Sequence, residues 1–186
     1  ITIRPLVNMA GTHEFNEIFF EDVRVPAANL VGEENRGWYN VAVGLDFERS
    51  SIGATSNSRR MVDDLVTYLR TEKPRIDNAV KHRLVDEAIG VALLRNMAYY
   101  IASRQEKTGI APTREAQMAK LFGAELQQRI AATALQVFGM EGQAHRPVSR
   151  AASYRYGLLR SVANTIEGGT SEIQRSVIAT RGLGLP

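Results

Sequence analysis

Apolar positions change their period once along the chain. Up to about Val31 they fall in short β-rich runs. Thr2-Ile3-Arg4-Pro5-Leu6 is the first, and Phe15 to Val25, with Ile18, Phe19, Phe20 and Val23, is the second, stopped by Pro26. From Gly37 onward the spacing is helical. A first helix is predicted from about Gly37 to Arg70, with Val41, Leu45, Ile52 and Thr55 on one stripe. A second, from about Asn78 to Lys107, carries Val80, Leu84, Ala88, Val91, Leu94 and Ala98, and stops at Thr108-Gly109 with Pro112 beyond. A third carries Ala119, Phe122, Leu126, Ile130, Ala134 and Val137, and ends at Gly139. A shorter helix starts near Pro147, since proline is tolerated in a first turn, and runs towards Val162. The last follows Gly168-Gly169, with Thr170 or Ser171 as N-cap and Ile173, Val177 and Ile178 as its apolar face.

These elements predict a mainly α fold: an antiparallel helical bundle over 37–186, preceded over 1–36 by a short β remnant of another domain. Two strands alone are marginal, so this remnant wants a sheet that the chain does not contain. The chain also opens in a strand rather than on Met, and we read its N-terminus as a truncation.

Composition narrows the function classes. A content of 44% hydrophobic and 23% charged residues predicts a packed core rather than disorder. The net charge of +3 is small, and Arg59-Arg60 is the only adjacent basic pair, so no nucleic-acid partner is expected. No apolar run has spanning length, so no membrane partner is expected either. The chain has no cysteine, which excludes a disulfide scaffold and suits a reducing compartment, and a cytoplasmic location is expected. His13, His82 and His145 lack any mutual spacing that suggests a metal site.

Three segments carry candidate chemistry. Glu48 falls on the same helical stripe as Val41, Leu45, Ile52 and Thr55. A carboxylate there loses hydration, which raises its pKa and makes it a usable proton acceptor, or else it pairs with Arg49 or an arginine of another helix. Glu167-Gly168-Gly169-Thr170-Ser171-Glu172-Ile173-Gln174-Arg175 places two glycines before a capping residue. Free N–H groups there could hold an anion or polarise a carbonyl; the alternative is a simple turn with a good cap. Gln136-Val137-Phe138-Gly139-Met140-Glu141-Gly142 reads either as a phosphate-facing backbone or as a helix C-cap with its loop.

Four stretches in order resemble the acyl-CoA dehydrogenase family over the full chain. Phe19-Phe20-Glu21-Asp22-Val23-Arg24-Val25-Pro26, with Asn29-Leu30-Val31-Gly32, resembles the end of the family's middle β-domain. Gly37-Trp38 resembles the entry into its helical C-terminal domain. Gln136-Val137-Phe138-Gly139 resembles the segment that meets the FAD of a neighbouring subunit, and Gly169 to Arg175 the C-terminal motif beside the flavin.

The resemblance implies an FAD enzyme that desaturates an acyl-CoA thioester at Cα–Cβ. A carboxylate takes the α-proton, a hydride passes from Cβ to flavin, and an electron-transferring flavoprotein removes the electrons. It also implies a homo-oligomer, a dimer or a tetramer. Many members carry the catalytic Glu where this chain has Gly168, and Glu167 lies one residue too early. A minority branch, of isovaleryl- and long-chain type, takes it from the first long helix; Leu45-Asp46-Phe47-Glu48-Arg49 resembles that branch. The implied roles are therefore Glu48 as base and the Gly168 N–H as donor to the thioester carbonyl. Asp46 and Arg49 would contact coenzyme A, and Gln136, Gly139, Thr170, Glu172 and Arg70 would contact the cofactor. Relatives follow the last arginine with Phe-Gly, whereas Arg70 precedes Thr71-Glu72-Lys73-Pro74. An acyl-CoA oxidase relative and a catalytically silent subunit of a mixed assembly are the alternatives; Glu48 speaks against the second. The fragment alone is expected to be inactive.

Overall fold

The computed structural model describes all residues except 49–52, 111 and 145–148, and it describes no side chain at 43, 45–48, 53 or 54. It divides into two compact units, Ile1–Leu45 and Asp46–Pro186.

In the first unit, β1 (Thr2–Val7) pairs antiparallel with β2 (His13–Phe19), Thr2 opposite Phe19 and Leu6 opposite Phe15. The Asn8 side-chain oxygen closes the turn by accepting from the N–H groups of Ala10 and Thr12, and Gly11 supplies the positive φ. The second strand ends at Phe19, short of the predicted Val25. Asp22 takes a φ of 46°, and residues 27–29 form a single 3-10 turn. A left-handed residue reverses the chain locally, so β-branched Val23 and Val25 never join the ladder. Both faces of the hairpin are exposed, including Ile3, Leu6, Phe15 and Ile18. The helix α1 (Gly37–Glu48) follows, and Val41, the first member of the predicted apolar stripe, is 55% exposed.

The second unit is a helical bundle. Its helices are α2 (Gly53–Glu72), α3 (Asn78–Thr108), α4 (Thr113–Phe138), the one-turn α5 (Met140–Gln143), α6 (Arg150–Asn164) and α7 (Ser171–Val177), which runs into a π-turn over 178–182. Signals at the ends match their residues. The Asp77 side chain caps α3 by accepting from the Ala79 N–H, and Gly109 closes it in the left-handed conformation. α4 lies at the centre, against α2, α3, α6 and α7. Leu126 and Ile130 of α4, Leu65 of α2 and Ile101 of α3 are fully buried. Truncating one of these to Ala would cost about 2–5 kcal/mol. Small residues let the helices approach: a Cβ at Gly90 would stand 3.0 Å from Leu126, and one at Gly123 3.2 Å from Leu94.

Three predicted details change. Ala88 is exposed, and Glu87 takes the inward position between Leu84 and Val91. Both sequence offsets suit one helical face, and the Thr133 hydroxyl opposite, 2.6 Å from Glu87, makes the acidic residue tolerable inside. The helix predicted from Pro147 begins instead at Arg150, because Ser149 caps it by accepting from the Ala152 N–H; Pro147 itself lies outside the described residues. In α7 the inward positions are Ser171 and Gln174, whereas Ile173 is 55% exposed. There Gln174 faces in because its amide holds the preceding loop.

Candidate active site

The loop from Thr165 to Thr170 joins α6 to α7, and side chains of three helices hold it. Glu167, at its start, accepts three hydrogen bonds of 3.1–3.2 Å from the Arg160 guanidinium of α6. Gly168 and Gly169 follow with φ of +65° and +96°, a conformation that side-chain-bearing residues avoid. The Gln174 amide of α7 donates to the Gly168 carbonyl at 2.9 Å and to that of Gly169 at 3.3 Å. Lys120 of α4 donates to the same Gly169 carbonyl at 2.5 Å. Thr170 caps α7, its hydroxyl accepting from the Ile173 N–H, and the Ser171 N–H closes the loop on Thr165 O. Among the described residues, no acceptor is found for the N–H groups of Gly168 and Gly169. The carbonyls of Gly168 and Gly169 are therefore taken up by side chains while the N–H groups of the same two residues have no described acceptor, which is the polarity needed to receive a developing oxyanion.

The arrangement tolerates little at Gly169, where a Cβ would meet the Gln174 amide nitrogen at 2.5 Å. Gly168 is roomier: its nearest neighbour would be the Lys120 Cε at 3.7 Å. Gln174 is only 1% exposed, and its Oε1 has no partner among the described residues. The Glu172 carboxyl, on the surface, is held below its ordinary value by its own backbone N–H and by the Thr170 hydroxyl.

The other sequence candidates fall into distinct places. Glu48 closes α1, but its side chain and that of Asp46 are not described, and Arg49 lies outside the described residues. Arg70 is exposed in the last turn of α2, where a cation complements the helix dipole. Gln136 is exposed near the end of α4, and its Oε1 accepts from Arg83 of α3 at 2.5 Å. Gly139 caps α4 with φ +56°, its N–H returning to Leu135 O. Phe138, beside it, packs its ring 4.7 Å from Tyr68 and 5.6 Å from Tyr154. The structure thus brings Gly168, Thr170 and Glu172 together, and places Gln136 with Gly139 at another helix end.

A groove of about 370 Å³ runs between α2, α4 and α6, with Asn57, Arg60, Tyr156, Arg160 and Asn164 in its lining. Arg160 thus borders both the groove and the loop. Sequence reasoning missed Lys120, Arg160 and Glu87. The first two act on partners 49 and 7 residues away, and no local pattern marks either. Glu87 carried a weak signal, an acidic residue one step from the apolar stripe. Its carboxyl is pushed above the ordinary 4.5, chiefly by burial, with the Thr133 hydroxyl, Arg129 and Arg83 opposing. Among the described residues no cluster of metal-ligating side chains occurs, and no helix is long and apolar enough to cross a membrane.

Comparison with known proteins gives one consistent result. Residues 35–183 match the model of the acyl-CoA dehydrogenase C-terminal domain. Acyl-CoA dehydrogenase IpdE1 of Mycobacterium tuberculosis is 34% identical over 188 residues, which cover 100% of this chain and 48% of the relative. The mitochondrial long-chain specific acyl-CoA dehydrogenase of Sus scrofa is 32% identical, over 88% of this chain and 38% of its own length. A solved steroid ACAD, the Tcur3481-Tcur3483 G363A variant, superimposes over 100% of this chain and 49% of that one, with a TM-score of 0.87 at 24% identity. The chain spans about half the length, or less, of the curated relatives it matches.

Proposed function

This chain belongs to the acyl-CoA dehydrogenase family, and on that footing we propose that it works as the C-terminal part of an FAD-dependent enzyme that desaturates an acyl-CoA thioester at Cα–Cβ. The observation that carries this reading is the loop at Gly168 and Gly169, whose carbonyls are tied inward and whose amides have no described acceptor. In the reaction, Glu48 takes the α-proton as base. The Gly168 N–H donates to the thioester carbonyl, which gathers negative charge as that proton leaves. When bound, the flavin supplies the acceptor for the hydride leaving Cβ, and the product is a trans-2-enoyl thioester. An electron-transferring flavoprotein is the proposed outlet for the electrons.

Two observations support Glu48 rather than Glu167 as base. Glu167 is held in a forked ion pair by Arg160, which fixes it at the loop entrance. Gly168, at the position that carries the base in many relatives, has no side chain to compete. Asp46 and Arg49 are proposed to face coenzyme A.

The described residues fit a dinucleotide cofactor. Arg83 and Gln136 present a guanidinium and an amide side by side on an exposed helix end, a donor pair suited to a diphosphate. The Thr170–Glu172 segment, with an exposed carboxylate, suits hydroxyl groups better than phosphates. Gly139 and Arg70 complete the proposed cofactor contacts. The exposed apolar row Val85, Ile89 and Leu93 on α3 supports self-association into a dimer or tetramer. The test is a structure of the complete enzyme with a non-reacting acyl-CoA analogue. The carbonyl oxygen should lie within hydrogen-bond distance of the Gly168 N–H, with a Glu48 carboxylate oxygen on the α-carbon. An oxygen that points elsewhere overturns the assignment.

A further inference from the structure

We propose that Lys120 is a positioning residue for the thioester carbonyl: together with Gln174 it clamps the carbonyls of the Gly168–Gly169 loop so that the loop amides face the substrate. The inference rests on the reading of the Gly168 N–H as the carbonyl donor, and it adds a residue to which no role has been given above.

The argument is geometric. A trans peptide is planar, and its N–H points opposite to its C=O. The peptide between Gly168 and Gly169 has its carbonyl held by Gln174 at 2.9 Å, which turns the Gly169 N–H away from α7. The next peptide, which carries the Thr170 N–H, has its carbonyl held by Lys120 at 2.5 Å and by Gln174 at 3.3 Å, so the backbone that follows Gly168 is fixed through Gly169. The peptide that carries the Gly168 N–H lies between this pair and the peptide ahead of Glu167, whose N–H is fixed on Ala163 O, so its plane is set by restrained neighbours on both sides. Two glycines at positive φ are otherwise the least restrained residues in a chain, so without these struts the amide plane of Gly168 could rotate. Among the struts described, Lys120 comes from the central helix α4, where it is flanked by buried Ala116, Ala119 and Ala124. Its anchor is therefore a helix packed against α2, α3, α6 and α7, whereas Gln174 belongs to the seven-residue α7 that the loop itself leads into.

Lys120 also differs from Gln174 in charge. Its Cε would lie 3.7 Å from a Cβ at Gly168, so the ammonium-bearing stem runs along the side of Gly168 on which a side chain would project. A cation there favours any state in which the neighbouring carbonyl of the substrate gains negative charge. Clamp and charge act in the same direction, on the transition state more than on the ground state.

The experiment uses the complete, flavin-loaded enzyme and two non-reacting coenzyme A ligands, a thioester analogue and the matching thioether in which CH₂ replaces the carbonyl. Lys120→Met should lower kcat roughly 10- to 100-fold, the range expected when a donor is misplaced rather than removed. It should reduce the affinity ratio of thioester over thioether by a similar factor. Thioether affinity should stay within about threefold, because uniform binding is untouched. Lys120→Arg, which keeps the charge and a donor, should recover most of the ratio. An unchanged ratio in Lys120→Met, whether or not kcat falls, overturns the proposal, since a merely structural lysine would leave carbonyl discrimination alone. A wild-type enzyme that does not distinguish the two ligands overturns the donor reading itself, and this inference with it. Should Lys120→Met fail to fold, Lys120→Gln is measured in its place, with the same outcomes deciding.

Discussion

Of the segments that carry glycine at a helix end, Gln136–Gly142 and Glu167–Thr170 use it in opposite ways. At the end of α4 the glycine N–H groups are consumed: Gly139 donates to Leu135 O and Gly142 to Gly139 O. Between α6 and α7 the carbonyls are consumed, by Lys120 and Gln174, and the amides of Gly168 and Gly169 are left. Both segments contain glycines at positive φ. What separates a cap from a donor site is therefore not the glycine but which half of each peptide the surrounding side chains take up. The first segment presents the Gln136 side chain, held by Arg83 of α3; the second presents its backbone.

The largest test of this contrast asks where the loop's chemistry ends. If the loop supplies donors and not the base, Glu48→Gln in the complete enzyme should lower turnover by roughly 10²- to 10⁴-fold with acyl-CoA binding nearly intact. Glu167→Gln breaks only a partly exposed ion pair with Arg160, so its effect on turnover should stay below about fivefold. Single-turnover rates of flavin reduction separate the two. Near-normal rates in Glu48→Gln, or their loss in Glu167→Gln, would move the base into the loop. Gly168→Glu on the Glu48→Gln background should restore part of the activity. The rescue is limited by the φ of +65°, which costs a side-chain-bearing residue about 1–2 kcal/mol.

The second test compares the glycines directly. Gly169→Ala meets both an unfavourable φ of +96° and an overlap with Gln174 at 2.5 Å. Gly139→Ala meets the backbone strain alone, as nothing lies within 4 Å of its Cβ. Strain of this kind is worth about 1–3 kcal/mol. Gly169→Ala should therefore lower the thermal midpoint more than Gly139→Ala, and it should also depress turnover by displacing the clamp. Equal losses of stability would show that Gln174 yields freely and that the loop is less constrained than its hydrogen bonds imply.

The contrast also shows which features could be read from sequence. Helix ends were legible where one residue acts on its near neighbours, as with Asp77 on Ala79, Gly109 behind α3, and Thr170 on Ile173. The bundle itself was legible from the spacing of Leu84, Val91, Leu94, Leu126 and Ile130, all of which are buried. The failures are residues whose partners come from another element. β-Branched Val23 and Val25 read as strand, yet the strand had already ended ahead of Asp22, which takes a left-handed turn. Glu87 is acidic, yet Thr133, 46 residues away, lets it face inward. Lys120 has no signal in its own helix, because its partner, the Gly169 carbonyl, lies 49 residues further along the chain. The Gly-Gly motif could be seen, but whether it offered amides or carbonyls could not, since that depends on Lys120 and Gln174.

A third test removes the cap that ends the loop. Thr170→Ala leaves the Ile173 N–H without its acceptor, and such losses cost about 1 kcal/mol. The change should lower the thermal midpoint modestly, and Thr170→Ser, which keeps the hydroxyl, should restore it. An unchanged midpoint in Thr170→Ala would mean that the side chains clamping the loop already hold the start of α7.

The smallest effect is expected beneath the other helix end, and it depends on pH. Glu87 lies between α3 and α4, one turn from Arg83, which holds Gln136. Its Oε1 accepts from the Thr133 hydroxyl, while its Oε2 is buried and has no partner among the described residues. Burial raises the folded pKa above the ordinary 4.5, so the native state binds a proton that the unfolded chain has already lost. The sign follows from linkage. The contribution to stability is fully present below 4.5 and is lost progressively as pH rises through the elevated folded value. Glu87→Gln keeps the shape and an acceptor for Thr133 but has no charge to bury. Relative to wild type, the variant should gain stability as pH rises above about 4.5, by up to roughly 1 kcal/mol, the low end for an unsatisfied buried group. Below that pH the two curves should run parallel. Thermal midpoints of both proteins between pH 4 and pH 8 give the answer. Curves that stay parallel throughout would place the Glu87 charge in solvent rather than in the seam between α3 and α4.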